Sequence, residues 1–320
     1  MKLVITDCNH LDIEPEMKVA AAAGVELVLA EAQSADQVIA VAADADALVV
    51  QNASVTREVL EALPKVKVVG RYGVGVDTID VAAATSLGVA VCNVPDYGTE
   101  SVSDHAISLA VALVRNLVRL DASVRLGSAG VEAAAPIPQF STLRFGVLGF
   151  GRIGRATARK ASGVGFEVAV CDIYAELPNP TPEGWAVLGF EELLARSDVL
   201  SLHTPLDDST VHLIDAEALA RLPQGAFLIN TARGGIVDTK ALLEALETGQ
   251  LSGAGLDVFE DEPLPPDHPL TCAERCILTP HAAFYSEQSY VELKRRTIEN
   301  VVAVLQGRTH HDILNPEVLA

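Results

Sequence analysis

The chain has 320 residues, 49% of them apolar, which is enough to bury a large core shared between two folding units of roughly 150 residues each. With 23 Lys+Arg against 43 Asp+Glu its formal charge is −20, which repels nucleic acid and anionic lipid and leaves an anionic metabolite, held in a local basic cleft, as the compatible partner class. No apolar run reaches the roughly 20 residues of a membrane span, and Cys8, Cys92, Cys171, Cys272 and Cys276 are odd in number and scattered, so the expectation is a cytoplasmic protein with reduced thiols.

Short β-branched runs alternate with Ala/Leu-rich stretches from the start. LVIT (3–6), ELVLA (26–30), ALVV (47–50), VKVVGR (66–71) and VAVCN (89–93) read as strands, and their spacing calls for crossover helices and a parallel sheet. A long helical segment over 101–127 follows, running into a Gly/Ala/Pro-rich stretch (127–138) that reads as a loop. This helix is expected to link two domains. The strand rhythm then restarts at RFGVLGFG (144–151) and continues through EVAVCD (167–172), DVLSLH (198–203), AFLINT (226–231), GAGLDV (253–258) and CILTPH (276–281). The last segment, 286–307, has amphipathic helical spacing and is expected to return to the first domain.

Gly149-Phe150-Gly151-Arg152-Ile153-Gly154 follows a strand and opens a helix. Glycines at that spacing give a tight turn, close backbone approach to a pyrophosphate, and close packing of helix on strand, with the phosphates at the helix N-terminus. The next strand ends at Asp172, whose carboxylate is placed to accept from both adenosine ribose hydroxyls. An acid there favours NAD over NADP, and neither Ile173 nor Tyr174 offers the arginine a 2′-phosphate needs.

Further motifs fall just after the later strands: His203-Thr204-Pro205-Leu206, Asn230-Thr231-Ala232-Arg233-Gly234-Gly235, Leu256 to Pro263, and Thr279-Pro280-His281-Ala282-Ala283. These are carboxyl-edge positions, where open α/β sheets place ligands. In this order the segments resemble the D-isomer-specific 2-hydroxyacid dehydrogenases over nearly the whole chain, and TPHAAFYSEQ (279–288) with NTARGGIVD (230–238) looks closest to the C-terminal-binding-protein branch.

The resemblance implies an α/β fold of two Rossmann-like, doubly wound parallel-sheet domains around a cleft. A flavodoxin-like substrate domain (1–98 and 287–320) would flank an NAD-binding domain (99–286). It implies His281 as general acid/base, Glu262 as the carboxylate that orients it and favours its protonated form, and Arg233 as the group gripping substrate. In the first domain Arg71-Tyr72-Gly73-Val74-Gly75 resembles the family's substrate loop, with the Val74 and Gly75 N–H groups meeting the substrate carboxylate. Asp257 is similar to the aspartate beside the nicotinamide carboxamide. Thr204 and Pro205 resemble the wall over the adenosine, and His203, Thr231 and Ala232 share those cofactor turns, although His203, like His105 and His212, is also explained as a structural or surface group.

The implied activity is hydride transfer between NAD and C2 of a small anionic 2-hydroxy or 2-oxo acid, in a homodimer formed through the Arg-bearing helical stretch ending at Arg125. The alternative is an NAD(H)-sensing, co-repressor-like dimeric binding protein. Phe284 stands where that branch carries tryptophan, Glu262 where formate dehydrogenases carry glutamine, and the chain stops too soon after its last helix for an appended regulatory domain. Cys272, Cys276, His310 and His311 match no metal-site spacing, so no metal is expected.

Overall fold

The computed structural model describes residues 1–8, 10, 12–127 and 130–319. Ser128 and Ala129 of the predicted loop, and Ala320 of the predicted first domain, lie outside the described residues. The chain divides into two compact units, Met1–Gly98 with Ser286–Ala320, and Thr99–Tyr285.

The first unit alternates β1 (Lys2–Ile5), α1 (Glu14–Ala22), β2 (Glu26–Leu29), α2 (Ala35–Ala42), β3 (Ala47–Val50), α3 (Arg57–Ala62), β4 (Val68–Arg71), α4 (Val81–Ser86) and β5 (Ala90–Cys92). All its strand pairs are parallel, in the order β2-β1-β3-β4-β5, which is the flavodoxin-like winding. Helices cover both faces, so the strands read as near-continuous apolar runs. Val4, Leu48, Val50, Val69 and Val91 pack on one side, and Leu3, Ile5, Val49, Val68 and Ala90 on the other. Ser34, Thr56 and Asp80 cap α2, α3 and α4 by accepting from N–H groups of their first turns.

The last helix of the chain, called α11 here (Glu287–Leu305), begins in a capping box at Ser286 and packs on the second face of this sheet. A β-carbon on Gly70 would lie 2.4 Å from Cγ2 of Val301, so a glycine in β4 is what lets this helix seat.

The second unit holds α5 (Thr99–Val114), α6 (Leu117–Arg125), β6 (Arg144–Leu148), α7 (Arg152–Val164), β7 (Glu167–Cys171), β8 (Ala186–Val187), α8 (Phe190–Arg196), β9 (Val199–Leu202), α9 (Ala216–Arg221), β10 (Ala226–Asn230), α10 (Thr239–Glu247), β11 (Leu251–Leu256) and β12 (Cys276–Leu278). Its parallel sheet runs β12-β11-β10-β9-β6-β7-β8. From β6 outward this is the dinucleotide-binding winding with one added strand, and the direction of winding reverses between β6 and β9.

Two local features depart from the sequence expectation. The single helix expected over 101–127 is two, because Asn116 takes a left-handed conformation (φ 53°) that Asn tolerates better than most residues, and its Nδ2 donates to the Ala134 carbonyl at 3.2 Å. The two-residue strand β8, beside β7, carries too short a run to register as a period. The described part of the predicted 127–138 loop contains one 3-10 turn, Val131–Ala134. Among the described residues, no helix is long and apolar enough to cross a membrane, and no cluster of three or more His, Cys, Asp or Glu side chains is arranged to hold a metal ion.

Candidate active site

The glycine turn joins β6 to α7 at the point where the winding reverses. Gly149 has φ 93°, and a β-carbon there would lie 2.6 Å from the backbone carbonyl carbon of His203, so the turns after β6 and β9 touch through it. A β-carbon on Gly154 would sit 2.0 Å from the Gly149 carbonyl oxygen, which ties the start of α7 to the turn. Gly151 differs from both. Its φ is −74° and a β-carbon would meet nothing within 4 Å, so nothing among the described residues requires glycine there. Helix α7 also starts without a side-chain cap, leaving the first-turn N–H groups, including those of Arg152 and Ile153, to an external acceptor. An open, uncapped helix start behind a side-chain-free residue fits a pyrophosphate.

Asp172 follows β7 and braces this turn. Its carboxylate accepts from the N–H of Phe150 at 2.8 Å and from those of Tyr174 and Ala175 at 2.9 and 3.1 Å. Thr204 and Thr231, after β9 and β10, each bury a hydroxyl with no hydrogen-bond partner among the described residues, which suits ligand groups arriving at that edge. Pro205 is exposed and Ala232 half-buried beside them. His203 instead turns inward, Nε2 lying 2.8 Å from Oγ of Ser201, and burial pushes its imidazole down to about 3, so it stays neutral at ordinary pH.

Arg233, Glu262 and His281 come from the loops after β10, β11 and β12, three neighbouring strands. His281 Nδ1 lies 2.7 Å from Oε2 of Glu262, and the other carboxylate oxygen accepts from the Phe259 N–H at 3.0 Å. Burial works to raise Glu262, but the hydrogen bonds from His281 and Phe259, with the positive charges of His281 and Arg233, outweigh it and hold the carboxyl below its ordinary range. Glu262 thus feels both partners, and at 44% side-chain exposure His281 is reachable from outside.

Two residues that stand in the 230–235 motif without a role of their own assigned from sequence shape this corner. Asn230 closes the Arg233 loop, donating to the Arg233 carbonyl at 2.9 Å and accepting from the Ala232 N–H at 3.0 Å. Gly234 seats that loop against the next one, since a β-carbon there would lie 1.9 Å from the Phe259 carbonyl carbon and 2.5 Å from the Glu260 nitrogen. A lone glycine in a Gly-Gly pair gives no sequence signal of a close approach to a residue 25 positions away.

His281 is itself strained, with φ 52° in a region that side chains rarely occupy. Asp257 over-determines it. The Asp257 carbonyl accepts from the His281 N–H at 2.7 Å, and its buried carboxylate accepts from the Ala282 and Ala283 N–H groups at 2.9 and 2.8 Å and from the Thr279 hydroxyl at 2.6 Å. His105 meets that hydroxyl at 3.0 Å, and His212 pairs with Glu260 at the surface.

In the first unit, Arg71 ends β4 and Tyr72 is buried directly after it. The Arg71 guanidinium folds back over Gly73 (φ 137°) to donate to the Tyr72 carbonyl. Val74 is 40% exposed, and neither its N–H nor that of Gly75 meets an acceptor among the described residues. Their loop is held from the segment just after β5, where Asn93 Nδ2 donates to the Val74 carbonyl at 2.6 Å and the Val94 N–H to the Gly73 carbonyl at 3.0 Å.

The chain is similar to known proteins over most of its length. Residues 107–283 match the model of the D-isomer specific 2-hydroxyacid dehydrogenase NAD binding domain. A glyoxylate reductase of Korarchaeum cryptofilum is 40% identical over 269 residues, 83% of this chain and 81% of that protein. Among solved structures, a Thermus thermophilus protein superposes with a TM-score of 0.89 at 33% identity, covering 98% of this chain and all of the other. The Aquifex aeolicus D-lactate dehydrogenase in complex with NAD and lactic acid superposes at 0.88 with 28% identity, covering 98% of this chain and 99% of that one. The chain belongs to the D-isomer-specific 2-hydroxyacid dehydrogenases, NAD-dependent oxidoreductases built on a Rossmann-type cofactor domain.

Proposed function

We propose that the chain reduces glyoxylate and similarly small 2-oxo acids to their 2-hydroxy acids, and runs the reverse reaction on the D-isomers. The carrying observation is the 2.7 Å contact between His281 Nδ1 and a Glu262 carboxylate that also feels the charge of Arg233. An ionised carboxylate only accepts, so Nδ1 bears the proton and Nε2 is the nitrogen left to exchange one with substrate.

Bound NADH supplies a hydride to C2. As C2 is reduced, Nε2 of His281 gives its proton to the C2 oxygen and Glu262 balances the imidazolium that does so. Arg233 grips the substrate carboxylate with a forked pair of hydrogen bonds and draws charge from the C2 oxygen. The free N–H groups of Val74 and Gly75, with Arg71, are assigned to the carboxylate as well. On the cofactor, Gly149, Gly151, Arg152, Ile153 and Gly154 receive the pyrophosphate, Asp172 the adenosine ribose, and His203, Thr204, Pro205, Thr231, Ala232 and Asp257 form the adjoining turns. Glyoxylate heads the substrates because the 40% identical relative is a glyoxylate reductase.

The test is NADH absorbance at about 340 nm followed against glyoxylate, hydroxypyruvate, pyruvate and longer 2-oxo acids. Oxidation is expected with at least the two-carbon acid. His281→Ala and Arg233→Ala should each lower turnover by about 10³-fold with NADH binding kept. No oxidation with any acid would return the NAD(H)-sensing binding protein. A cytoplasmic homodimer is part of the same reading. Helix α6 buries none of its nine residues and exposes Leu117, Val118 and Val124, a row that fits a second copy. Val118→Glu should then sediment as a monomer.

A further inference from the structure

The mechanism makes no use of a cluster of ionisable groups sealed inside the first unit. Glu16 of α1 and Lys294 of α11 have side chains 0% and 2% exposed, and the His10 ring is as enclosed. Glu16 Oε1 accepts from the Tyr72 hydroxyl at 3.1 Å and lies 3.2 Å from His10 Nδ1. Lys294 Nζ stands 3.7 Å from Glu16 Oε2 and donates to Oδ1 of Asp12 at 3.0 Å. The His10 ring meets Tyr72 edge-on at 4.5 Å and Tyr290 at 5.0 Å, closing the cage around the phenol.

Such a cluster is a poor way to gain stability. The desolvation cost of a buried ion pair consumes most of its Coulomb attraction, and apolar side chains of equal volume would fill the space at least as well. What it supplies is direction, because each hydrogen bond fixes an angle as well as a distance. The group so fixed is Tyr72. It immediately precedes Gly73, whose φ of 137° reverses the chain between the caged phenol and the amides of exposed Val74 and half-buried Gly75, which meet no acceptor among the described residues.

We propose that Tyr72, clamped by Glu16, His10 and Lys294, is a positioning residue that aims the Val74 and Gly75 N–H groups at the substrate carboxylate. The inference rests on the reading of 71–75 as the carboxylate loop. Asn93 and Val94, just after β5, hold the loop's carbonyls, and the Tyr72 cage holds its entry, so the two donors converge before substrate arrives and less ordering remains to be done on binding.

Tyr72→Phe removes one hydroxyl and keeps the ring. In this chain it is expected to raise KM for glyoxylate about 10-fold, to leave kcat and KM for NADH within about 2-fold, and to speed amide hydrogen exchange in a 73–76 peptide by more than the fall in thermal midpoint accounts for. Unchanged KM for the acid and unchanged exchange would overturn the assignment. So would a fall in kcat and midpoint together with KM unmoved, which is the signature of a structural role. Arg71→Gln separates the underlying reading. If it leaves KM for the acid at the native value, the loop is not the carboxylate site and both statements fall. If it raises KM while Tyr72→Phe does not, only the anchor is lost.

Discussion

Gly234→Ala tests whether the active-site corner depends on one backbone approach. The added carbon would lie 1.9 Å from the carbonyl carbon of Phe259 and 2.0 Å from its oxygen, and ordinary contact begins near 3.4 Å, so the two loops must part by about 1.5 Å. Nothing at the contact is a flexible side-chain end, because both partners are backbone. The Phe259 N–H also anchors Glu262, so the shift is passed to the carboxylate that holds His281. Overpacking of this kind costs about 1–3 kcal/mol, or roughly 2–12 °C in midpoint for a unit of this size. A displacement beyond 1 Å among reacting groups costs about 10²-fold in rate. The assay is glyoxylate-dependent NADH oxidation alongside thermal unfolding, with Gly151→Ala as the matched control. The same methyl in open space at Gly151 should leave the midpoint unchanged and raise KM for NADH at least about 10-fold by meeting the pyrophosphate. Native turnover and midpoint in Gly234→Ala would refute the reasoning.

Asp257→Ala strands the N–H groups of Ala282 and Ala283 and leaves the Thr279 hydroxyl to His105 alone, and at about 1–3 kcal/mol for each stranded amide the loss is at least about 2 kcal/mol in urea unfolding. Turnover should fall with it as His281 relaxes from its left-handed backbone, and a native urea midpoint would contradict the anchoring role. His203 is neutral in the folded state down to about 3 but takes a proton near its ordinary value of about 6.5 once unfolded. Its contribution is therefore complete above about pH 6.5 and drains away as pH falls towards 3, at up to about 1.4 kcal/mol per pH unit. His203→Gln should flatten the acid limb of stability by that slope, and parallel limbs for the two proteins would rule it out.

The parallel strands of both sheets are legible in the sequence because strands buried on two faces are near-continuous apolar runs, as at 47–50 and 226–229, whereas their winding comes from the family resemblance. The break at Asn116 is not, since the helical period on either side continues nearly in phase and the left-handed residue is fixed by a carbonyl 18 positions on. At the candidate site the same division holds. Arg233, Glu262 and His281 stand out by residue type and by their place after strands, whereas the loops that support them depend on Gly234 against Phe259 and on Asp257 beneath Thr279 to Ala283. Glu16 and Lys294 illustrate the limit. Each reads as an ordinary surface charge on an amphipathic helix, and only a partner 278 residues away places them in the interior.

The seating of α11 on β4 has a consequence during synthesis. Gly70 and Glu16 emerge early, yet the helix carrying Val301 and Lys294 is complete only about 200 residues after the first strands, a delay of roughly 10–40 s at ordinary elongation rates. Over that interval α1 alone covers that face of the nascent sheet and Glu16 lacks its lysine, while the cofactor domain can form. Released chains truncated at residue 285 should therefore be cut by protease within 1–98 and resist it within 99–285.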